Sequence, residues 1–167
     1  MVDRRVLLAG GAGLAAMIFS LDWLRGGAVK AASSFEITKT DAEWRALLTP
    51  AQFKVLRQHG TERPGTSPLN AEKRKGVFAC AGCDLPLFSS ETKYESGTGW
   101  PSFWQPLPDA IGTTTDNALL MTRTEVHCRR CGGHLGHVFN DGPKPTGLRY
   151  CMNGVSLKFI PDRGAGA

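Results

Sequence analysis

The sequence has little of what a nucleic-acid or membrane protein would show. No stripe of lysine and arginine interleaved with aromatics runs through its 167 residues, although the formal net charge is +5. Nucleic acid is therefore excluded as an expected partner. Part of the positive excess sits in residues 1–31, where Arg4, Arg5, Arg25 and Lys30 outnumber Asp3 and Asp22. No apolar run reaches the roughly 20 residues a membrane helix needs; the longest, Val6 to Leu21, is short and rich in glycine and alanine. No internal repeat marks a solenoid or array, and at this length one domain with a modest core is the expectation. Cysteine is scarce, five in all, and four of the five form two Cys-x-x-Cys pairs, which leaves one thiol unassigned.

Those four are Cys80/Cys83 and Cys128/Cys131, with Cys80 and Cys128 lying 48 positions apart. Two such pairs read most simply as a closed four-thiolate zinc site, one zinc per chain, structural because four sulfurs leave no coordination position open. In an oxidising compartment the same pairs are open to a disulfide reading. The compartment matters because the N-terminus reads as an export signal over residues 1–31. Arg4-Arg5 precede the mild apolar run, and small residues around Ala31-Ala32 offer a cleavage point. This expects an exported, periplasmic protein whose domain spans residues 32–167, the alternative being an uncleaved membrane anchor.

Along that domain, Thr40 to Glu43 fits a capping box, with Trp44, Leu47 and Leu48 as the buried face of a first helix. Thr49-Pro50-Ala51-Gln52 starts a second, with Phe53 and Leu56 buried and Gly60 as its stop. From Gly76 the period changes to two. Strands are expected at Gly76–Cys80, at Lys93–Glu95, at Ala118–His127, at His134–Phe139, and over one run from Leu148 to Ile160, with Leu85 to Phe88 leading out of the first knuckle. The segment Ser96–Trp104 is too dense in glycine, proline and tryptophan to be regular and reads as a constrained loop. The class is mainly-β α+β.

The fifth cysteine, Cys151, lies in the run Arg149-Tyr150-Cys151-Met152-Asn153. Alternation puts Arg149, Cys151 and Asn153 on one strand face. A guanidinium beside a thiol favours the reactive thiolate; the bland alternative is a buried small hydrophobe. His134 and His137 share one glycine-spaced strand and are candidate general acids. Trp100, held between Gly99 and Pro101, is a candidate wall of an apolar pocket.

Together the two cysteine pairs, the loop Gly97-Thr98-Gly99-Trp100-Pro101-Ser102-Phe103, the run Gly133-His134-Leu135-Gly136-His137-Val138-Phe139 and Arg149 to Asn153 resemble the methionine-R-sulfoxide reductase B family. The resemblance covers about residues 35–160. It implies two antiparallel sheets pinned by zinc and capped by short N-terminal helices. It also implies reduction of the R epimer of methionine sulfoxide in oxidised proteins or peptides. By the family pattern Cys151 is the nucleophile, and His134, His137 and Asn153 line the sulfoxide site. Trp100 packs against the substrate methyl group, Asp141 supports the histidines, and Arg149 sits with the substrate. Many members carry a resolving cysteine in the glycine-tryptophan loop; here that position is Thr98. With four cysteines on zinc no second thiol remains, so a cysteine sulfenic acid should be reduced directly by thioredoxin or a periplasmic thiol donor. A monomer is expected. The rival from another class is a non-catalytic zinc-pinned β binding module. A dithiol oxidoreductase would need one knuckle free of metal.

Overall fold

The computed structural model describes residues 35–117 and 121–162. The expected export signal and the first residues of the expected strand at Ala118 lie outside them. Among the described residues no helix is long and apolar enough to cross a membrane.

Helix α1 spans Asp41–Leu47 and α2 spans Pro50–Gln58. Both open on complete capping boxes. The Thr40 hydroxyl accepts from Glu43 N while the Glu43 carboxylate accepts from Thr40 N; Thr49 and Gln52 do the same for α2. Each cap satisfies N–H groups that the helix itself cannot and contributes about 1 kcal/mol. The buried faces differ from the expectation in two residues: Trp44, Leu48, Phe53 and Leu56 are buried, but Leu47 is 62 % exposed and Val55 is buried as well. At seven residues α1 is too short to bury a wide stripe, and Trp44 alone of its residues reaches the core. The stop of α2 also differs. His59, not Gly60, takes the left-handed conformation (φ 53°), and Gly60 N closes the end on Lys54 O at 2.9 Å.

Among the described residues nine strands follow, all paired antiparallel: β1 Gly76–Cys80, β2 Pro86–Ser89, β3 Lys93–Tyr94, β4 Ser102–Phe103, β5 Ile111–Asp116, β6 Arg123–Cys128, β7 His134–Phe139, β8 Arg149–Met152 and β9 Leu157–Pro161. They form a three-stranded sheet, β2-β1-β9, and a six-stranded sheet, β3-β4-β8-β7-β6-β5. The single strand expected over Leu148–Ile160 is therefore two strands in different sheets. The chain leaves β8 at Asn153, makes one 3-10 turn over Gly154–Ser156, and enters β9. Asn153 fixes the switch: its backbone N–H and its side-chain amide both donate to Leu135 O, at 2.8 and 3.0 Å. The glycine-tryptophan loop likewise contains the short strand β4, paired to β8.

The core lies between the sheets. Phe88 of β2 stacks on Phe103 of β4 with ring centroids 4.4 Å apart, and Phe78 of β1 meets Phe103 edge-on at 5.0 Å. Leu87, Val126, Leu135 and Met152 complete it, all fully buried. Each such side chain contributes roughly 1.5–3 kcal/mol on burial. Trp44 and Leu56 from the helices cover the knuckle glycines, approaching an ideal Cβ at Gly82 to 3.6 and 3.7 Å. The helices thus seal the cysteine end of the sandwich.

Candidate active site and metal centre

The two knuckles are built alike. In the first, Cys80 N donates to Leu85 O and Asp84 N to Cys80 O; in the second, Cys128 N donates to Gly133 O and Gly132 N to Cys128 O. The residue after each second cysteine takes a positive φ, Asp84 at 58° and Gly132 at 66°. Glycine adopts that conformation freely and aspartate tolerates it, so the knuckle forms without the glycine after Cys83. Lys158 anchors Asp84 by an ion pair of 2.7 Å.

The four sulfurs converge. All lie within 4.8 Å of one another, with Cys80–Cys131 at 3.7 Å and Cys83–Cys128 at 3.5 Å. A tetrahedron with metal–sulfur bonds of about 2.3 Å has edges of about 3.8 Å, so the donor set fits a four-thiolate metal site. The crowding splits the thiols in acidity. Cys128 is pushed down by hydrogen bonds from Cys131 and Cys80, and Cys80 is pushed up by those to Cys128 and Cys131. A cation at the centre would take thiolates from all four.

The fifth cysteine is elsewhere, at the middle of the six-stranded sheet. Cys151 on β8 lies opposite His137 on β7 and Ser102 on β4. Gly136 permits this: an added Cβ would stand 2.1 Å from Cys151 O. Beside Cys151 opens a cavity of ≈ 110 Å³, lined by His137, Asn153 and Trp100 together with Thr61, Arg123 and Phe139. The Trp100 ring is set by its indole N–H, which donates to Glu62 O at 3.2 Å. Gly99 lets the loop reach that position; its φ is 92°, and a Cβ would meet Pro64 and Gly65 inside 3.0 Å. Glu62 also gives its N–H to Asn153 Oδ1 at 3.0 Å, and its carboxylate accepts from Gly154 N and Val155 N. One residue thus ties together the tryptophan wall, the amide and the turn after β8.

The histidines are held by carboxylates from neighbouring strands. His137 Nε2 lies 2.7 Å from Asp116 on β5, and Arg123 makes its own 2.7 Å contact with that carboxylate. Burial pulls the His137 imidazole below the usual histidine range; the Asp116 hydrogen bond opposes this and the Arg123 charge adds to it. His134 Nδ1 lies 2.7 Å from Glu125, which also receives His59 at 3.0 Å. Hydrogen bonding to His134 lowers the Glu125 carboxyl, against the cost of burial.

Three expected placements differ. His134 lines a neighbouring cavity of ≈ 560 Å³ rather than the one beside Cys151, with His137, Thr61 and Arg123 shared between the two. Asp141, expected behind the histidines, is instead engaged by both ends of the Arg149 fork, each at 2.8 Å. The reason is strand geometry: Arg149 and Asp141 flank the connection from β7 to β8, whereas the histidines face β5 and β6. The Arg149 guanidinium also lies 4.3 Å over the Phe139 ring. It is Arg123, not Arg149, that lines the Cys151 cavity. Sequence reading passed over Asp116, Arg123, Glu125 and Glu62.

Thr98 closes the other side of the thiol, with its Oγ1 3.7 Å from Cys151 Sγ. The arrangement offers a half-buried thiol, an imidazole oriented by a carboxylate, an amide and an aromatic wall around a space of a few atoms. Such a site suits nucleophilic attack by sulfur on a small polar group carrying an apolar substituent.

Comparison with known proteins gives concordant matches. Residues 48–161 match the SelR domain family. The peptide methionine sulfoxide reductase MsrB of Leptospira interrogans is 55 % identical over 127 residues, 75 % of this chain and 97 % of that protein. That of Agrobacterium fabrum is 54 % identical over 130 residues, 77 % of this chain and 96 % of that protein. That of Pseudomonas putida strain W619 is 57 % identical over 131 residues, 78 % of this chain and 98 % of that protein.

Proposed function

This chain belongs to the SelR domain family, and from that premise we propose that it reduces methionine sulfoxide in oxidised proteins and peptides, acting on the R epimer. The observation that carries the reading is Cys151 facing His137 across the β7-β8 pair, in a cavity walled by Trp100. The binding-module alternative leaves that combination without a purpose.

The Cys151 thiolate attacks the sulfoxide sulfur and forms an S–S bond, and the sulfoxide oxygen takes up two protons and leaves as water. A water then attacks Cys151 Sγ, breaking the S–S bond to release methionine and a proton and leave the sulfenic acid. His137, held by Asp116, is the group that delivers a proton to the sulfoxide oxygen. The substrate methyl group rests against Trp100, and Asn153, fixed by Glu62 and Leu135, orients the polar end. In sum one thiol and one sulfoxide give methionine and a Cys151 sulfenic acid. Two reducing equivalents from an external thiol donor then return the thiol and release water. Thioredoxin or a periplasmic dithiol is the expected donor, since Thr98 supplies no sulfur. Zinc, held by Cys80, Cys83, Cys128 and Cys131, supplies a structural cross-link between the two knuckles. The enzyme acts as a monomer and is exported, with the twin arginines Arg4-Arg5 as the signal.

The test is reduction of peptides carrying R- or S-methionine sulfoxide, with dithiothreitol as donor. Turnover of the R peptide alone is expected, and turnover of neither would sink the reading. His137→Ala should lower kcat by about 10²–10⁴-fold while KM changes little. An equal rise in KM would show His137 to be a binding group.

A further inference from the structure

Three hydroxyls beyond the sulfoxide cavity form an unbroken chain that ends on the reacting sulfur. Ser102 Oγ lies 3.2 Å from Trp100 O and 2.7 Å from Ser96 Oγ. Ser96 Oγ lies 2.8 Å from Thr98 Oγ1, and Thr98 Oγ1 lies 3.7 Å from Cys151 Sγ. Ser96 also accepts from Thr98 N at 3.4 Å, which closes the loop on itself. Ser102 is 1 % exposed and Ser96 and Thr98 are partly buried, so the chain is largely shielded from competing water.

Counting protons fixes how it works. Four hydrogen bonds link the backbone carbonyl to the sulfur, but the hydroxyls own one proton each. With Cys151 as a thiol, its S–H donates to Thr98, and each hydroxyl donates onward until Ser102 reaches Trp100 O. A thiolate cannot donate. Thr98 must then turn its proton onto the sulfur, Ser96 turns to Thr98, and Ser102 turns to Ser96. The geometry points to a reversible hydroxyl relay, Thr98–Ser96–Ser102, in which Thr98 is a catalytic residue donating to the Cys151 thiolate and the two serines position it. A hydrogen bond to the charged form favours that form, and a charge-assisted bond is the strong kind. The threonine of the glycine-tryptophan loop thus acts on the attacking sulfur itself.

This rests on the reading of Cys151 as the reacting thiol, but it is testable without any sulfoxide. The measurement is the rate at which iodoacetamide alkylates Cys151 at neutral pH, followed by mass spectrometry of the metal-loaded protein. Thr98→Val keeps the shape and removes the hydroxyl, and should slow alkylation about tenfold. Thr98→Ser should restore it. Ser96→Ala carries the sign that a merely structural role would not give. It removes two chain bonds from either arrangement, but in the thiolate one Ser102 is then free to turn back to Trp100 O and regains a bond, so alkylation should not slow. Thr98→Val reacting at the wild-type rate overturns the relay. So does Ser96→Ala slowing as much as Thr98→Val, which would trace the effect to a loosened loop. Should Thr98→Val fail to fold, the sign of the Ser96→Ala effect still decides. If the alkylation results hold but neither sulfoxide epimer is reduced, the relay stands and the proposed reaction falls.

Discussion

Cys151→Ser is expected to abolish methionine formation completely, including the first turnover. A serine hydroxyl in the same place has neither the acidity nor the polarisable sulfur that the attack on a sulfoxide needs. The wild-type protein, mixed with excess R-sulfoxide peptide and no reductant, should make about one methionine per enzyme and stop. The arithmetic follows from where the sulfurs are. Cys80, Cys83, Cys128 and Cys131 form their own cluster, and the side chain touching Cys151 where a second thiol would be useful is Thr98. The sulfenic acid therefore has no intramolecular partner and should persist, as one added oxygen on the Cys151 peptide, trappable by a sulfenic-acid reagent with metal still bound. A disulfide between Cys151 and a knuckle cysteine, with metal released, would show that the cluster also resolves the intermediate.

The features readable in the sequence are those carried by local chemistry. Both capping boxes, the knuckle spacing and the strands at Gly76–Cys80 and His134–Phe139 each follow from residues a few positions apart, and all are present. What stayed illegible depends on pairing. Strand β5, Ile-Gly-Thr-Thr-Thr-Asp, is an edge strand whose threonines face solvent, so it shows no apolar alternation. Yet it brings Asp116 to His137, residues 21 positions apart. Glu125 reads as an ordinary polar residue of β6 until β7 places His134 against it. The run from Leu148 to Ile160 is uniformly strand-like, and nothing within it announces a change of sheet. The break at Asn153 is made by Leu135 and Glu62, which are distant in sequence. For the same reason Arg149 looked like the charge beside the thiol. It shares the strand with Cys151, but its fork is taken by Asp141, and the arginine at the cavity is Arg123.

Stripping the metal, or replacing one ligand by Cys128→Ser, should unfold the protein rather than merely slow it. The knuckles are the means by which β1 and β2 of the smaller sheet are fastened to β6 and β7 of the larger. The first pair begins on the last residue of Gly76–Cys80 and the second on the last residue of Arg123–Cys128. Structural zinc in small peptides contributes on the order of 10–16 kcal/mol of apparent binding energy, whereas a domain of this size has a net stability of about 5–15 kcal/mol. A metal held by the four thiols would thus contribute on the scale of the whole margin. Removing one sulfur also leaves three thiols crowded within 4.8 Å of one another around an uncompensated centre, under the buried Trp44 and Leu56. Circular dichroism and thermal melting after chelation should show loss of the cooperative transition, with metal content falling from about one per chain. Cys151→Ser, made at a sulfur outside the cluster, should melt like the wild type. An apo protein that melts at an unchanged temperature would mean that the phenylalanine core between the sheets holds them together unaided, and that the four cysteines serve some other chemistry.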